Sequence, residues 1–217
     1  MKVPFVRSLA GALATLVLTA CAHEVEFRPA YVPPAKPAFV AQGRLLIVMP
    51  KEPREFVYKG HPRSITGEYM TLTIPLGEIV EDVAKEVFSS CFAYGVDVVD
   101  ALGSSDDFVL ALEGDLEEFA YSYNKVIDQG FGEDAVEAWT VPEVDIAFHV
   151  KAYDRHRTTV LDKKYDSGVR AGESYLVTGR PAERINRVLH ETLHALMLEL
   201  AVDLYPLLLQ ECKVSVR

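Results

Sequence analysis

The chain has 217 residues, 49% of them hydrophobic and 25% charged, with 12 Pro and 13 Gly. These proportions fit one globular domain with modest appendages and exclude a disordered or collagen-like polypeptide. Lys and Arg number 22 against 32 Asp and Glu, a net charge of −10, so no broad electrostatic footprint for nucleic acid exists and no nucleic-acid partner is expected.

Lys2 and Arg7 precede an apolar run from Leu9 to Ala20, the layout of an export signal and too short to span a bilayer. The run ends in Leu18-Thr19-Ala20-Cys21: a branched apolar residue, two small ones, then cysteine. This resembles the lipobox of bacterial lipoproteins. The resemblance implies that residues 1–20 are a signal peptide, that Cys21 is lipidated, with palmitate among its acyl chains, and becomes the N-terminus. With Ala22 rather than Asp following, it also implies outer-membrane sorting, the body facing the periplasm. An acidic body is repelled by anionic lipid, so acyl chains are the expected anchor.

Residues 21–42 carry Pro29, Pro33, Pro34 and Pro37 and read as a Pro-rich tether able to hold the body up to about 60 Å from the lipid. Residues 43–217 read as a single domain. Leu45 to Met49, stopped by Pro50, is a buried-strand run; weaker extended segments follow around Phe56-Val57-Tyr58 and Tyr69 to Ile74. Leu76, Ile79, Val80, Val83, Ala84, Val87, Phe88, Cys91 and Phe92 keep the three-and-one spacing of an amphipathic helix with one buried stripe. Gly95 suits the left-handed residue beyond it, and Val96 to Val99 resumes a strand, which makes Leu45 to Val99 a βαβ-type unit.

Phe108, Leu110 and Leu112 alternate, Gly114 offers a bulge, and Leu116 to Tyr123 continues the strand. Val126 to Glu137 reads as a surface loop. Val144, Ile146, Phe148, Val150 and Ala152 then face one way and Asp145, His149, Lys151 and Tyr153 the other; Asp154 to Thr158 turns and Thr159 to Tyr165 returns. Pro181 opens a last helix with a stripe of Ile185, Leu189, Leu193, Leu196, Leu200 and Leu204, and Pro206 is expected to end it. The expected fold is α+β: a mostly antiparallel sheet with two long helices packed on one face, its other face open to solvent or a partner.

Cys91 and Cys212 remain after Cys21 is lipidated, and in an oxidising compartment a disulfide between them is expected. It would close a loop of about 120 residues and stabilise the fold by roughly 4 to 5 kcal/mol. Buried thiols are the alternative, since Cys91 sits on an apolar stripe.

His190-Glu191-Thr192-Leu193-His194 fits H-E-x-x-H, in which His190 and His194 would be metal ligands and Glu191 the catalytic general base of a zinc hydrolase. A helical wheel sets both histidines at the border of the leucine stripe and the charged face, which favours a solvated helix face, with no catalytic residue, metal or other cofactor. Lys151, Arg155, His156, Arg157, Lys163 and Lys164 form a basic island in the hairpin. Lys151, Arg155, Arg157, Lys163 and Lys164 are candidates to meet lipid A phosphates or an acidic partner, unless the carboxylates around them pair with them across strands or the lysines guard a sheet edge. Phe119, Tyr121, Tyr123 and Trp139 gather on the long strands, the first three on one face. No G-x-S-x-G, phosphate-binding glycine loop or C-x-x-C occurs.

The order of pieces, with Val144 to Asp154 turning into Thr159 to Tyr165 before a closing helix, resembles the small α+β outer-membrane lipoproteins of the YajG-like group and, more distantly, the lipoprotein of the lipopolysaccharide assembly apparatus. The likeness spans residues 43 to 205 and implies a non-enzymatic, accessory or scaffolding subunit of a cell-envelope complex, its partner an envelope protein or a glycolipid. The competing expectation is the small zinc metallohydrolase of residues 190–194. A carrier with an apolar ligand between helices and sheet is a third, and requires a cavity.

Overall fold

A computed structural model describes residues 22–24, 39–68, 70–103, 107–127, 138–176 and 181–216. Along them run β1 (Ala22–Glu24), β2 (Phe39–Ala41), β3 (Leu45–Val48), α1 (Lys51–Arg54), β4 (Tyr58–Gly60), β5 (Thr71–Ile74), α2 (Leu76–Ser89) and β6 (Val96–Val99). Then follow β7 (Leu110–Ile127), β8 (Ala138–Asp154), β9 (Thr159–Asp166), β10 (Arg170–Ala171), β11 (Tyr175–Leu176), α3 (Pro181–Glu211) and β12 (Val214–Val216). Cys21 and the expected signal peptide, residues 1–20, lie outside the described residues, as do residues 128–137 of the expected loop.

Leu45-Leu46-Ile47-Val48 offers no polar residue to either side of its pleat and has to be covered on both faces. It is: β3 lies between β6 and β7, parallel to each, in a seven-stranded sheet. Leu45 and Ile47 join the main core, whereas Leu46 and Val48 pack with Phe108 and Ala111 on the opposite face, beneath Leu102 and Val99. The outer face is therefore closed over β3. Beyond β7 the sheet is antiparallel: β7 pairs with β8 along its whole length, and β9, β10 and β11 take turns on the far edge of β8. The expected βαβ unit is present, with β4 and β5 paired in its connection before α2. The break in the long strand falls between Leu116 and Glu118 and not at Gly114, which stays in register opposite Val150.

The fold is mixed α and β, mostly sheet, but it holds one long helix rather than two. α2 has 14 residues and α3 has 31. The periodicity of α2 is as read, with Leu76, Ile79, Val83, Val87 and Phe88 buried. α3 does not stop at Pro206. Its next turn keeps Leu204 and Leu208 at 0% exposure, and that packing outweighs the hydrogen bond a proline removes from a helix interior. α3 is long and apolar enough to cross a membrane, yet its stripe from Ile185 to Leu208 is buried against α2, β8 and β9 in the main core.

Two ends of the span read as a tether are strands. Ala22–Glu24 pairs in parallel with β5, and Phe39–Ala41 pairs with β12. β2 also accounts for the cysteines, which form no disulfide. Ala41 donates its N–H to Cys91 on one edge, and Gln42 donates to Lys213 on the other. Chains on opposite edges of a strand are about 9.5 Å apart, whereas a disulfide needs Cα atoms within roughly 7 Å. Each thiol instead donates to its own helical turn, Cys91 to Val87 (3.6 Å) and Cys212 to Leu208 (3.5 Å).

Candidate functional site: an apolar cleft between helices and sheet

On the inner face of β7 the alternation Leu110, Leu112, Gly114, Leu116 puts a glycine where a core side chain belongs. A Cβ built there meets no atom within 4 Å. Gly114 lines a cavity of about 400 Å³, within the size range of small-molecule sites. Its floor is sheet: Ile47 and Met49 of the β3 segment, Leu112, Gly114 and Leu116 of β7, Phe148 and Val150 of β8, Tyr165 of β9. Its roof is helix: Leu76, Val80, Ala84 and Phe88 of α2, and Leu196, Met197 and Leu200 of α3.

The rim is formed by Glu52, Pro53 and Phe56. α1 sits so close to α2 that a Cβ on Gly77 would collide with the carbonyl oxygens of Pro53 and Arg54. Gly77 donates its N–H to Phe56 O (3.0 Å). The Arg54 guanidinium donates to Met49 O (3.0 Å) and pairs with Glu81 (3.3 Å) and Asp100 (3.1 Å). Phe56, 42% exposed, is thereby fixed as an apolar lip over the opening.

The polar residues on the border are few. Glu52 and Asp115 are exposed. The Tyr165 hydroxyl donates to Asp203 (2.7 Å), which also accepts a hydrogen bond from the Lys163 ammonium (2.7 Å). Lys163, and then Tyr165, hold the Asp203 carboxyl below the usual carboxylate range, while burial first and Asp203 second push the Tyr165 phenol well above its own. The hydroxyl stays protonated and engaged with Asp203. What remains is apolar surface with two methionines, side chains that adapt to irregular ligands. Such a site can bury hydrocarbon.

The histidines lie elsewhere and correct the expectation of a wet helix face. His190 and His194 are 2% and 7% exposed, their rings stacked at 6.3 Å between centroids. α2 covers this flank of α3, with Glu86 3.3 Å from His190 Nε2, so the buried arc of α3 is wider than its leucine stripe. Burial holds His194 below its usual pKa, against the attraction of Glu86. Glu191 points outward to Arg187 (3.0 Å). Among the described residues no group of three or more His, Cys, Asp or Glu side chains is placed to hold a metal, and the zinc-hydrolase reading loses its support.

The basic island is engaged within the chain. Arg155 pairs with Glu211 (2.9 Å), Lys163 with Glu199 (3.3 Å) and Asp203, and Lys164 with Glu117 (3.0 Å). Arg157 donates to Gly103 O, and Lys151 stands in register between Glu113 and Asp162. Tyr121 and Tyr123 are core residues, and Phe119 packs edge-on against Tyr58. Gly114, Gly77 and the two cleft methionines were not read as site residues from sequence; the available signal was a glycine in an inward slot of an otherwise apolar strand.

No family model matches the sequence, and no curated protein matches it. Solved structures do. A Xanthomonas campestris protein assigned to the DUF330 family is 16% identical, with a TM-score of 0.50 over 87% of this chain and 96% of its own. A neuraminyllactose-binding hemagglutinin homolog from Helicobacter pylori is 9% identical, with a TM-score of 0.41 over 87% of this chain and 95% of its own. A minor lipoprotein from Acinetobacter baumannii is 11% identical, with a TM-score of 0.36 over 79% of this chain and 97% of its own. Neither a YajG-like protein nor the lipopolysaccharide-assembly lipoprotein is among these three, and the likeness to the Xanthomonas protein is one of fold alone.

Proposed function

We propose that the chain is a non-enzymatic lipoprotein of the bacterial envelope, anchored through Cys21 in the outer membrane and facing the periplasm, where as an accessory subunit it holds the acyl chain of a lipid in the cleft between α2, α3 and the sheet. The observation that carries this is the void beside Gly114, its floor and roof lined mostly by apolar side chains. At about 30 Å³ per small heavy group, the share of a liquid water molecule, about 400 Å³ takes on the order of a dozen atoms of hydrocarbon. A hydrocarbon stretch needs no hydrogen-bonding partner, and the floor and roof offer it mostly apolar side chains. A lipid head group would remain outside, at the rim near Glu52. The outer sheet face is a weaker choice for the partner, because the island's charges are already answered by Glu117, Glu199, Asp203 and Glu211.

The test uses the mature chain with Cys21→Ser, which carries no lipid of its own, titrated with a fluorescent fatty-acid analogue. Saturable binding to one site is expected, weakened roughly tenfold or more (~1.4 kcal/mol) by Gly114→Leu, which fills the cleft. Absence of saturable binding, or equal binding by the filled variant, would refute the reading.

A further inference from the structure

The acyl anchor and the folded body are joined without slack. β1 runs parallel to β5 with Ala22 opposite Thr71, His23 opposite Leu72 and Glu24 opposite Thr73. Ala22 is the residue after Cys21, and successive Cα atoms are about 3.8 Å apart. A lipid on Cys21 is therefore held at the Thr71 end of β5, where β5 meets the loop that connects it to β4.

That loop presents Ile65, at 86% exposure the most exposed large apolar side chain among the described residues. It is braced from below. Arg63 donates its N–H to Tyr121 O (2.8 Å), Tyr123 donates its N–H to Ser64 Oγ (2.8 Å), and Ser64 Oγ donates to Thr66 O (2.9 Å). Glu68 donates to Ile65 O (3.2 Å) and Met70 to Gly67 O (2.7 Å), and the Arg63 guanidinium is held by Glu118 (2.6 Å). Gly67, at φ 81°, makes the turn, and a Cβ there would press on the Tyr123 ring. A β-branched apolar residue on a loop fixed this firmly is offered to a partner rather than hidden.

From these observations we infer that the Ile65 loop is the membrane-contact surface of the protein: the body lies against the leaflet that takes the anchor, with Ile65 dipped into the lipid head-group region. The inference rests on the reading of Cys21 as acylated. The acyl chains provide the attachment, and Ile65 sets the orientation. β7 runs past this loop at Tyr121–Tyr123, and the Asp154–Thr158 turn, opposite Leu110, lies about 40 Å away along β7 at 3.3 Å per residue, on the side remote from the membrane.

The experiment uses the full acylated protein with Cys212→Ser, reconstituted in vesicles of phosphatidylethanolamine and phosphatidylglycerol. An environment-sensitive fluorophore is placed at Ile65→Cys or, for comparison, at His156→Cys. Phospholipids brominated near the head group should quench the label at 65 and leave that at 156 unaffected. Equal quenching at both positions, or a label at 65 that shifts to the blue without quenching because protein covers it, overturns the inference in protein whose mass shows the acyl chains. A mass without them overturns the anchoring itself, and with it the orientation.

Discussion

At the scale of single residues, two glycines shape the cleft in opposite ways. Gly114 makes room and Gly77 closes distance. Gly77→Ala forces α1 away from α2 and should destabilise the protein by about 1 to 3 kcal/mol, the usual cost of overpacking, read as a lowered denaturant midpoint. Gly114→Leu should not: it enters open space in a strand, where glycine itself costs about 0.5 to 1 kcal/mol, so its midpoint should hold or rise while ligand is lost. A residue whose replacement improves stability and weakens binding is there for the ligand. His194 gives a pH signature. Its folded pKa lies below the unfolded value of 6.5 because burial penalises the imidazolium, while Glu86 opposes this and His190 adds to it. The unfolded chain then binds more protons than the folded one as pH falls below about 6.5, so the stability this residue contributes is complete above that pH and declines beneath it. Denaturant midpoints from pH 8 down to pH 5 should fall, and His194→Asn should flatten the profile; an unchanged profile would contradict this. Asp203→Asn should lower the denaturant midpoint, because the Tyr165 hydroxyl loses its charged acceptor.

At the scale of elements, periodicity read correctly wherever one face of a segment meets the core. α2 was legible because its apolar residues fall three and four apart, and β8 because Val144, Ile146, Phe148, Val150 and Ala152 all turn inward. The failures have a shared cause: contact with an element distant in sequence. Pro206 reads as a stop, and only the burial of Leu204 and Leu208 reveals that the helix continues. Pro206→Ala restores an amide for the Val202 carbonyl and should raise stability by about 1 kcal/mol, observable as a higher melting temperature. His190 and His194 read as wet because the wheel of α3 does not include α2 lying across it. Cys91 and Cys212 read as partners because nothing in the Pro-rich stretch announces that Phe39–Ala41 inserts between their segments. The cleft was illegible for a different reason. A void is encoded by what is missing at one position, and Gly114 could be taken as readily for a bulge.

At the scale of the whole molecule, β6, β3 and β7 form a parallel flank ending at the β6 edge, β7 to β9 an antiparallel wing, and the helices close one face of both. The cleft lies where these parts fail to meet, beneath α2 and α3 and beside α1. The proposed function brings together, at this scale, an acidic chain and a largely apolar cleft with room for one small apolar guest. The most direct check is the lipid content of the protein itself, isolated from cell envelopes with its anchor, washed free of loosely held detergent and lipid, and extracted for mass spectrometry. The account predicts about one non-covalently held acyl lipid per chain in the native protein and none above background in the Gly114→Leu variant. An empty native protein, or the same lipid in equal amount in both, would contradict it.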